Sequence, residues 1–163
     1  MVAHWKHSFA GVLLAVPAVL AWASGAAFVF PSLGPTAFVL ASGDDPGPRR
    51  VVGGHVVGAV AGLLAYWAVA PGLVVQTAAA PFAVGQGRIA LAGVLAVAGT
   101  AVGMTTTRTV HPPACATTLI VSLGLLASVW NVAVLVASVG LLYGTFRAGT
   151  HVIDSHASPT HWT

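Results

Sequence analysis

Phe30-Pro31-Ser32-Leu33-Gly34-Pro35-Thr36-Ala37 is an apolar segment broken by two prolines and a glycine, and the chain repeats the device at His111-Pro112-Pro113-Ala114-Cys115-Ala116-Thr117-Thr118. Laid over each other, Pro31 falls on Pro112, Thr36 on Thr117 and Gly43 on Gly124, with the small residues Gly34 and Cys115 in register between them. In a membrane chain, interrupted hydrophobic segments at matching places in two halves point to a solute-binding site. The stretch therefore reads as part of a small membrane protein of transport type.

Composition supports the membrane assignment independently. Hydrophobic residues make up 57% of the chain and charged residues only 6%, too few charges to cover the surface of a water-soluble domain of 163 residues. The acids Asp44, Asp45 and Asp154 and almost all the bases sit in short gaps between apolar runs, so those gaps are loops. The net charge of +3 comes from scattered Lys and Arg without a basic patch, which argues against a nucleic-acid partner. Cys115 is the only cysteine and forms no internal disulfide.

Length separates the spans. As one helix, the uncharged stretch from Ser8 to Ser42 would run to roughly 50 Å against a hydrocarbon core of about 30 Å, so it crosses twice or folds back. Pro113 to Phe146 poses the same problem, while Val51 to Ala70 and Ile89 to Thr107 each fit one crossing. Two drawings result: about six transmembrane segments, two of them short or Pro/Gly-broken, or four spans plus two re-entrant segments. With six spans, Lys6, Arg49, Arg50, Arg108 and Arg147 share one side and only Arg88 lies opposite, which satisfies the positive-inside rule with cytoplasmic termini. The six-span drawing is preferred. It makes each half three helices long, so the halves, about 8–70 and about 88–147, would insert as an inverted repeat. Ala10-Gly11-Val12-Leu13 recurring as Ala92-Gly93-Val94-Leu95 is a further echo of duplication. Residues 148–163 form a short polar tail whose His151, His156 and His161 recur every five residues, which is not a helical face, and no metal is assigned there. Trp5, Trp67 and Trp130 fall near span ends, as interfacial anchors do.

The breaks focus the chemistry. A proline lacks an amide hydrogen and interrupts the helical ladder. Helices restarting at about Gly34 to Thr36 and at about Ala114 to Thr117 would present free amides and a positive dipole end inside the membrane, suited to an anion. Ser32, Thr36, Thr117 and Thr118 would add hydroxyl donors, unless they serve only as helix caps. His111 at the second break and His55 inside the third span are ionisable groups at membrane depth and could donate to an anion or carry a proton. Arg49 and Arg50 set topology or form a gate at the entrance. Gly54, Gly58 and Gly62 form a row of small residues that lets another helix approach, within the chain or in a homo-oligomer.

Three stretches together carry a resemblance: Thr109-Val110-His111-Pro112-Pro113-Ala114-Cys115-Ala116-Thr117, Pro31-Ser32-Leu33-Gly34-Pro35-Thr36-Ala37 and Pro48-Arg49-Arg50-Val51-Val52-Gly53-Gly54-His55. The chain resembles the HPP family of integral membrane proteins over nearly its whole length, from Phe9 to Phe146. The resemblance implies a single transmembrane domain over 1–163, usually described in the family as having four or so spans, and, from some plastid and cyanobacterial members, a link to nitrite transport. It marks Gly34, Thr36, Arg49, His55, His111, Pro112, Pro113 and Thr117 as residues to test. Two departures stand out: Cys115 where the family typically has glycine, and Arg50 where it typically has asparagine.

The expectation is thus an all-α polytopic protein of the cell membrane that moves a small monovalent anion such as nitrite. Its site would comprise Ser32, Gly34, Thr36, His111, Cys115, Thr117 and Thr118, with His55 and Arg49 gating or coupling protons. Pro31, Pro35, Pro112 and Pro113 supply the breaks. No cofactor or resident metal is expected. A membrane sensor or assembly module that binds without flux is the alternative. HExxH, GxSxG and paired intramembrane carboxylates are all missing from the sequence, so an enzyme is not expected.

Overall fold

A computed structural model describes the backbone of residues 4–76 and 78–156, and the side chains of 9–76 and 78–152. Among the described residues the regular elements are helices: α1 (His4–Ser24), α2 (Val29–Ala41), α3 (Pro48–Val69), α4 (Val84–Thr107), a 3-10 turn (Pro112–Ala114), α5 (Cys115–Ser122) and α6 (Val129–His156). Pro48–Val69, Val84–Thr107 and Val129–Val152 are each long and apolar enough to cross a membrane. Phe9–Ser24, Val29–Ala41 and Pro112–Ser122 are shorter apolar helices. At 13 residues, α2 covers only about 20 Å.

Contacts at the helix ends fix the path of the chain. At one end, Asp45 in the α2–α3 turn meets Arg147 and Tyr143 of α6, Arg49 reaches the Thr107 carbonyl, and Gly149 packs on the Phe9 ring. At the other end, Arg88 donates to the Val69 carbonyl and Val75 N–H to the Leu123 carbonyl. The helices therefore run alternately between the two ends, α2 and α5 included. A re-entrant α2 would bring Gly25 and Gly43 to the same end, whereas Gly25 closes α1 at the end remote from Phe9 and Gly43 lies beside Asp45. The described basic side chains divide as the six-segment drawing expects, with Arg49, Arg50, Arg108 and Arg147 at the first end and Arg88 at the second.

The first break sits upstream of its expected place. The chain turns at Gly25, with φ of 71°, and α2 begins at Val29 and runs through Pro31 and Pro35 to Ala41. Pro31 occupies the first turn, where a missing amide hydrogen costs nothing, so Gly34 to Thr36 lie within the helix and do not start it. The second break falls as expected. Arg108 adopts a left-handed conformation at the end of α4, His111 is extended, and the tandem Pro112-Pro113 begins a 3-10 turn before α5 starts at Cys115. Both short helices end alike: Gly43 (φ 99°) and Gly124 (φ 84°) each follow the helix by the same two residues. The matching glycines supply the positive φ that side chains resist.

Polarity is turned inside out relative to a soluble protein. Val12, Val19, Leu64, Val94 and Val102 point outward, while Ser32, Thr36, His55, Thr100, His111, Thr117 and Thr118 are buried. Lipid tails solvate the first group, and the second must find partners within the protein. An apolar cluster including Leu13, Val29, Leu33, Leu40, Leu135 and Leu142 joins α1, α2 and α6. Trp67 and Trp130 are exposed at the Arg88 end, as interfacial anchors would be, and exposed Trp22 and Phe82 accompany them. The Trp5 side chain, those of Asp154 and His156, and all of His161 lie outside the described residues.

The glycine row is occupied within the chain. A Cβ on Gly54 would lie 2.8 Å from His111 Cβ, one on Gly58 2.6 Å from Thr118 Oγ1, and one on Gly62 2.9 Å from the Thr118 carbonyl and Val121 Cβ. The row is the bed on which the broken segment and α5 lie, so its buried face is not available to a second copy.

The Asp45 latch joins the α2–α3 turn to α6. Asp45 accepts from Arg147 at 3.0 Å, from the Tyr143 hydroxyl at 2.9 Å and from its own Gly47 amide at 2.9 Å. The Arg147 side chain is 62% exposed, so Arg147→Ala is expected to change stability by at most about 1 kcal/mol, read from thermal unfolding in detergent.

Candidate functional site

Where α2, α3 and the second break meet, polar side chains form a continuous hydrogen-bonded chain. Thr36 Oγ1 lies 2.9 Å from His55 Nε2 and 3.1 Å from His111 Nε2, and His55 Nδ1 lies 2.7 Å from Thr117 Oγ1. Thr36, His55 and Thr117 are fully buried and His111 is 2% exposed. The two imidazoles sit 5.6 Å apart between centroids, tilted by 53°. Beside them, Thr118 Oγ1 meets Thr100 Oγ1 of α4 at 2.9 Å and donates to the Ala114 carbonyl at 3.3 Å.

Local sequence explains this convergence. Gly54 and Gly58 have no side chain, so His111 and Thr118 settle against α3 within reach of His55, which lies on the same buried face. Starting α5 at Cys115 places Thr117 in its first turn. The α2 helix, continuous through Pro35, carries Thr36 in from the opposite side.

A cavity of about 850 Å³ reaches this chain from the basic end. Gly34, Pro35 and Phe38 form one wall and Pro112 and Pro113 another, with Asp44, Asp45 and Arg50 at the mouth and His111 at the inner end. Toward the Arg88 end, Val29, Leu33 and Val121 are fully buried beyond the cluster. The cavity thus ends at His111, and apolar side chains pack on the far side of the cluster.

The expected site residues divide in three. Thr36, His55, His111 and Thr117 are brought together, with Thr118 in the adjoining hydroxyl pair. Gly34 lines the cavity. Ser32 donates to the Val29 carbonyl at 2.7 Å, Cys115 is only partly buried, and Arg49 holds the Thr107 carbonyl; none of these three joins the chain. Arg50 rather than Arg49 lines the entrance. Sequence reasoning passed over Thr100, whose signal is a lone hydroxyl within the apolar run from Ile89 to Gly103.

At the helix starts that the structure shows, several backbone amides are already engaged. Val29 and Phe30 N–H donate to the Ala26 and Ala27 carbonyls at the start of α2. Ala114 N–H donates to His111, Cys115 N–H to Pro112, and the two prolines have none. Proline and 3-10 geometry thus reduce the donors that an abrupt helix start would expose. What remains at the breaks is side-chain chemistry: hydroxyls and neutral or protonated imidazoles, each able to donate and accept.

Fold and site together define a polytopic helical membrane protein with a buried polar cluster at paired helix interruptions. The family described as HPP, transmembrane region, matches residues 1–152. The chain belongs to that family. No curated protein and no solved structure matches it.

Proposed function

We propose that this protein transports a small monovalent anion, with nitrite the first solute to test, through the Thr36–His55–His111–Thr117 cluster. The observation that carries this reading is a fully buried hydroxyl, Thr36, held between two imidazoles, one of which, His111, lines a cavity of about 850 Å³. Ionisable side chains at membrane depth are retained where a solute or proton passes. Anion preference is supported by the absence of any Asp or Glu between Pro48 and Val152, which leaves a metal cation no interior carboxylate. Asp45 at the entrance is neutralised by Arg147, and Arg50 lines the same cavity as Asp44.

The working architecture is an inverted repeat in which α1–α3 and α4–α6 are related. Helix neighbours support this: exchanging α1 with α4, α2 with α5 and α3 with α6 turns α1–α2 into α4–α5, α3–α5 into α6–α2 and α1–α6 into α4–α3, all of which are in contact. Under that relation the apolar closure and the open cavity are alternate states of one device. The positive-inside rule supports a drawing in which the cavity and both ends of the described chain face the cytoplasm from the cell membrane.

Flux into liposomes tests the reading, with nitrate, formate and chloride beside nitrite. Nitrite uptake above that of protein-free liposomes, falling at least tenfold in Thr36→Val/Thr117→Val, supports it. Saturable anion binding without flux for any of these ions would favour a sensor module instead. Neither binding nor flux, in folded protein, sinks the anion assignment.

A further inference from the structure

We propose that the cluster loads one proton with each anion, so that transport is electroneutral and Thr36 is the residue that links the two binding events. This rests on the reading of the cluster as the anion site and adds its stoichiometry. The argument is a count of hydrogens.

In the neutral cluster each imidazole carries one N–H and each threonine one O–H. Thr36 Oγ1 contacts both Nε2 atoms. It has one hydrogen and two lone pairs, so it donates to at most one imidazole. Three arrangements satisfy all three contacts. In one, His111 Nε2–H donates to Thr36, Thr36 donates to His55 Nε2, and His55 Nδ1–H donates to Thr117. In the second every bond is reversed. In the third both Nε2–H groups donate to Thr36, Thr117 donates to His55 Nδ1, and the Thr36 hydrogen points away from both rings. Because Thr36 has a single hydrogen, the two histidines cannot both present a bare Nε2 to it. Among the described residues no buried side-chain nitrogen or oxygen is left without a partner, so the neutral cluster already satisfies itself.

Adding a proton to His55 changes the count. Both of its ring nitrogens now donate, so Thr36 and Thr117 oxygens both accept from it, and the Thr117 hydrogen turns away from the ring. When His111 also donates, the Thr36 hydrogen is released as well. Proton uptake thus creates, in one step, a positive charge in a dry site and turns the Thr117 hydrogen away from the ring. A monovalent anion supplies the missing charge and an acceptor for that hydrogen together. A charge buried without a counterion is strongly disfavoured, as is an unpaired hydroxyl, so proton and anion each stabilise the other's binding.

Groups near the cluster leave this balance to the solute. From α3, Arg49 is held on the Thr107 carbonyl and Arg50 faces the cavity mouth; the α2–α3 turn offers Asp44 and the latched Asp45 there. On α6, Tyr143 and Arg147 are directed to Asp45. Cys115 follows the 3-10 turn, and α4 presents Met104 and Thr100, which do not titrate. No interior carboxylate stands by to neutralise a protonated His55.

Purified protein in liposomes carrying an internal pH dye, with voltage clamped by potassium and valinomycin, tests the inference. The expected result, after subtraction of protein-free liposomes, is one proton entering per nitrite, a rate that rises as external pH falls, and less than a twofold change over 100 mV. Uncompensated movement of one charge would be biased by about 2.3 kcal/mol per 100 mV, some 50-fold. Voltage-driven nitrite flux without internal acidification overturns the proton linkage and leaves the anion reading standing. Absence of flux and binding for every anion overturns both. Thr36→Val is expected to reduce coupled uptake at least tenfold and Thr36→Ser, which keeps the bridging hydroxyl, to restore the one-to-one ratio. Should Thr36→Val fail to fold, proton uptake by the unmodified protein in weakly buffered detergent on adding nitrite decides the matter: one proton per bound anion is expected, and binding with none refutes the proposal.

Discussion

Replacing Gly58 with valine is expected to destroy the folded protein rather than merely slow it. A Cβ there would stand 2.6 Å from Thr118 Oγ1 and 3.0 Å from the Ala114 carbonyl. The hydroxyl can rotate, but the carbonyl belongs to the turn that launches α5 and has nowhere to go. Two further methyl groups would push the broken segment off α3, separating His111 and Thr117 from His55. Overpacking of this kind costs about 1–3 kcal/mol, and backbone contact places Gly58→Val at the upper end or beyond. The measurement is the fraction remaining monodisperse in detergent after heating. Gly140→Ala is the control, since a Cβ at that helical position meets nothing within 4 Å, and a change within about 0.5 kcal/mol is expected. Wild-type behaviour of Gly58→Val would mean that α5 does not lie on this row.

His55→Leu is expected to have the largest effect on function with the fold retained. The leucine fills similar space, but Thr117 loses its imidazole partner and Thr36 keeps only His111. A buried polar group left without its partner costs about 1–3 kcal/mol, which lowers stability without necessarily unfolding the protein. Nitrite uptake should fall at least tenfold, equivalent to about 1.4 kcal/mol in the barrier, and the residual flux should lose its pH dependence. His111→Leu should do the same from the cavity side. Folded single variants and the double variant that all retain wild-type rates and an unchanged pH profile would remove both histidines from the mechanism.

Much of the local design was legible before any coordinates. The run His111-Pro112-Pro113 announced a helix break followed by a restart near Thr117, because tandem prolines forbid the preceding ladder and favour a new first turn. Gly43 and Gly124, aligned by sliding the two motifs over each other, both adopt positive φ just after a short helix. The start of α2 was less legible. Pro31 disrupts a helix interior yet is harmless in a first turn, and nothing local distinguishes the two until the turn at Gly25 is seen.

Composition and periodicity determined by themselves that this is a multispan helical membrane protein, since 57% hydrophobic residues and 6% charged residues admit few other solutions. They also located the second interruption and named polar residues that must be satisfied inside. Tertiary structure alone decided how. Thr36 and His111 are 75 residues apart in the chain and meet only because α2 and the second break pack together against α3. The Gly54, Gly58, Gly62 row could serve any close helix, and only the fold shows that α5 and the segment leading into it occupy it. Amides at the start of α2 and in the turn before α5 are engaged in 3-10 and turn hydrogen bonds, while hydroxyl and imidazole groups meet between the helices. Hydrogen bonds of that kind depend on positions in space, and spacing along the chain does not encode them.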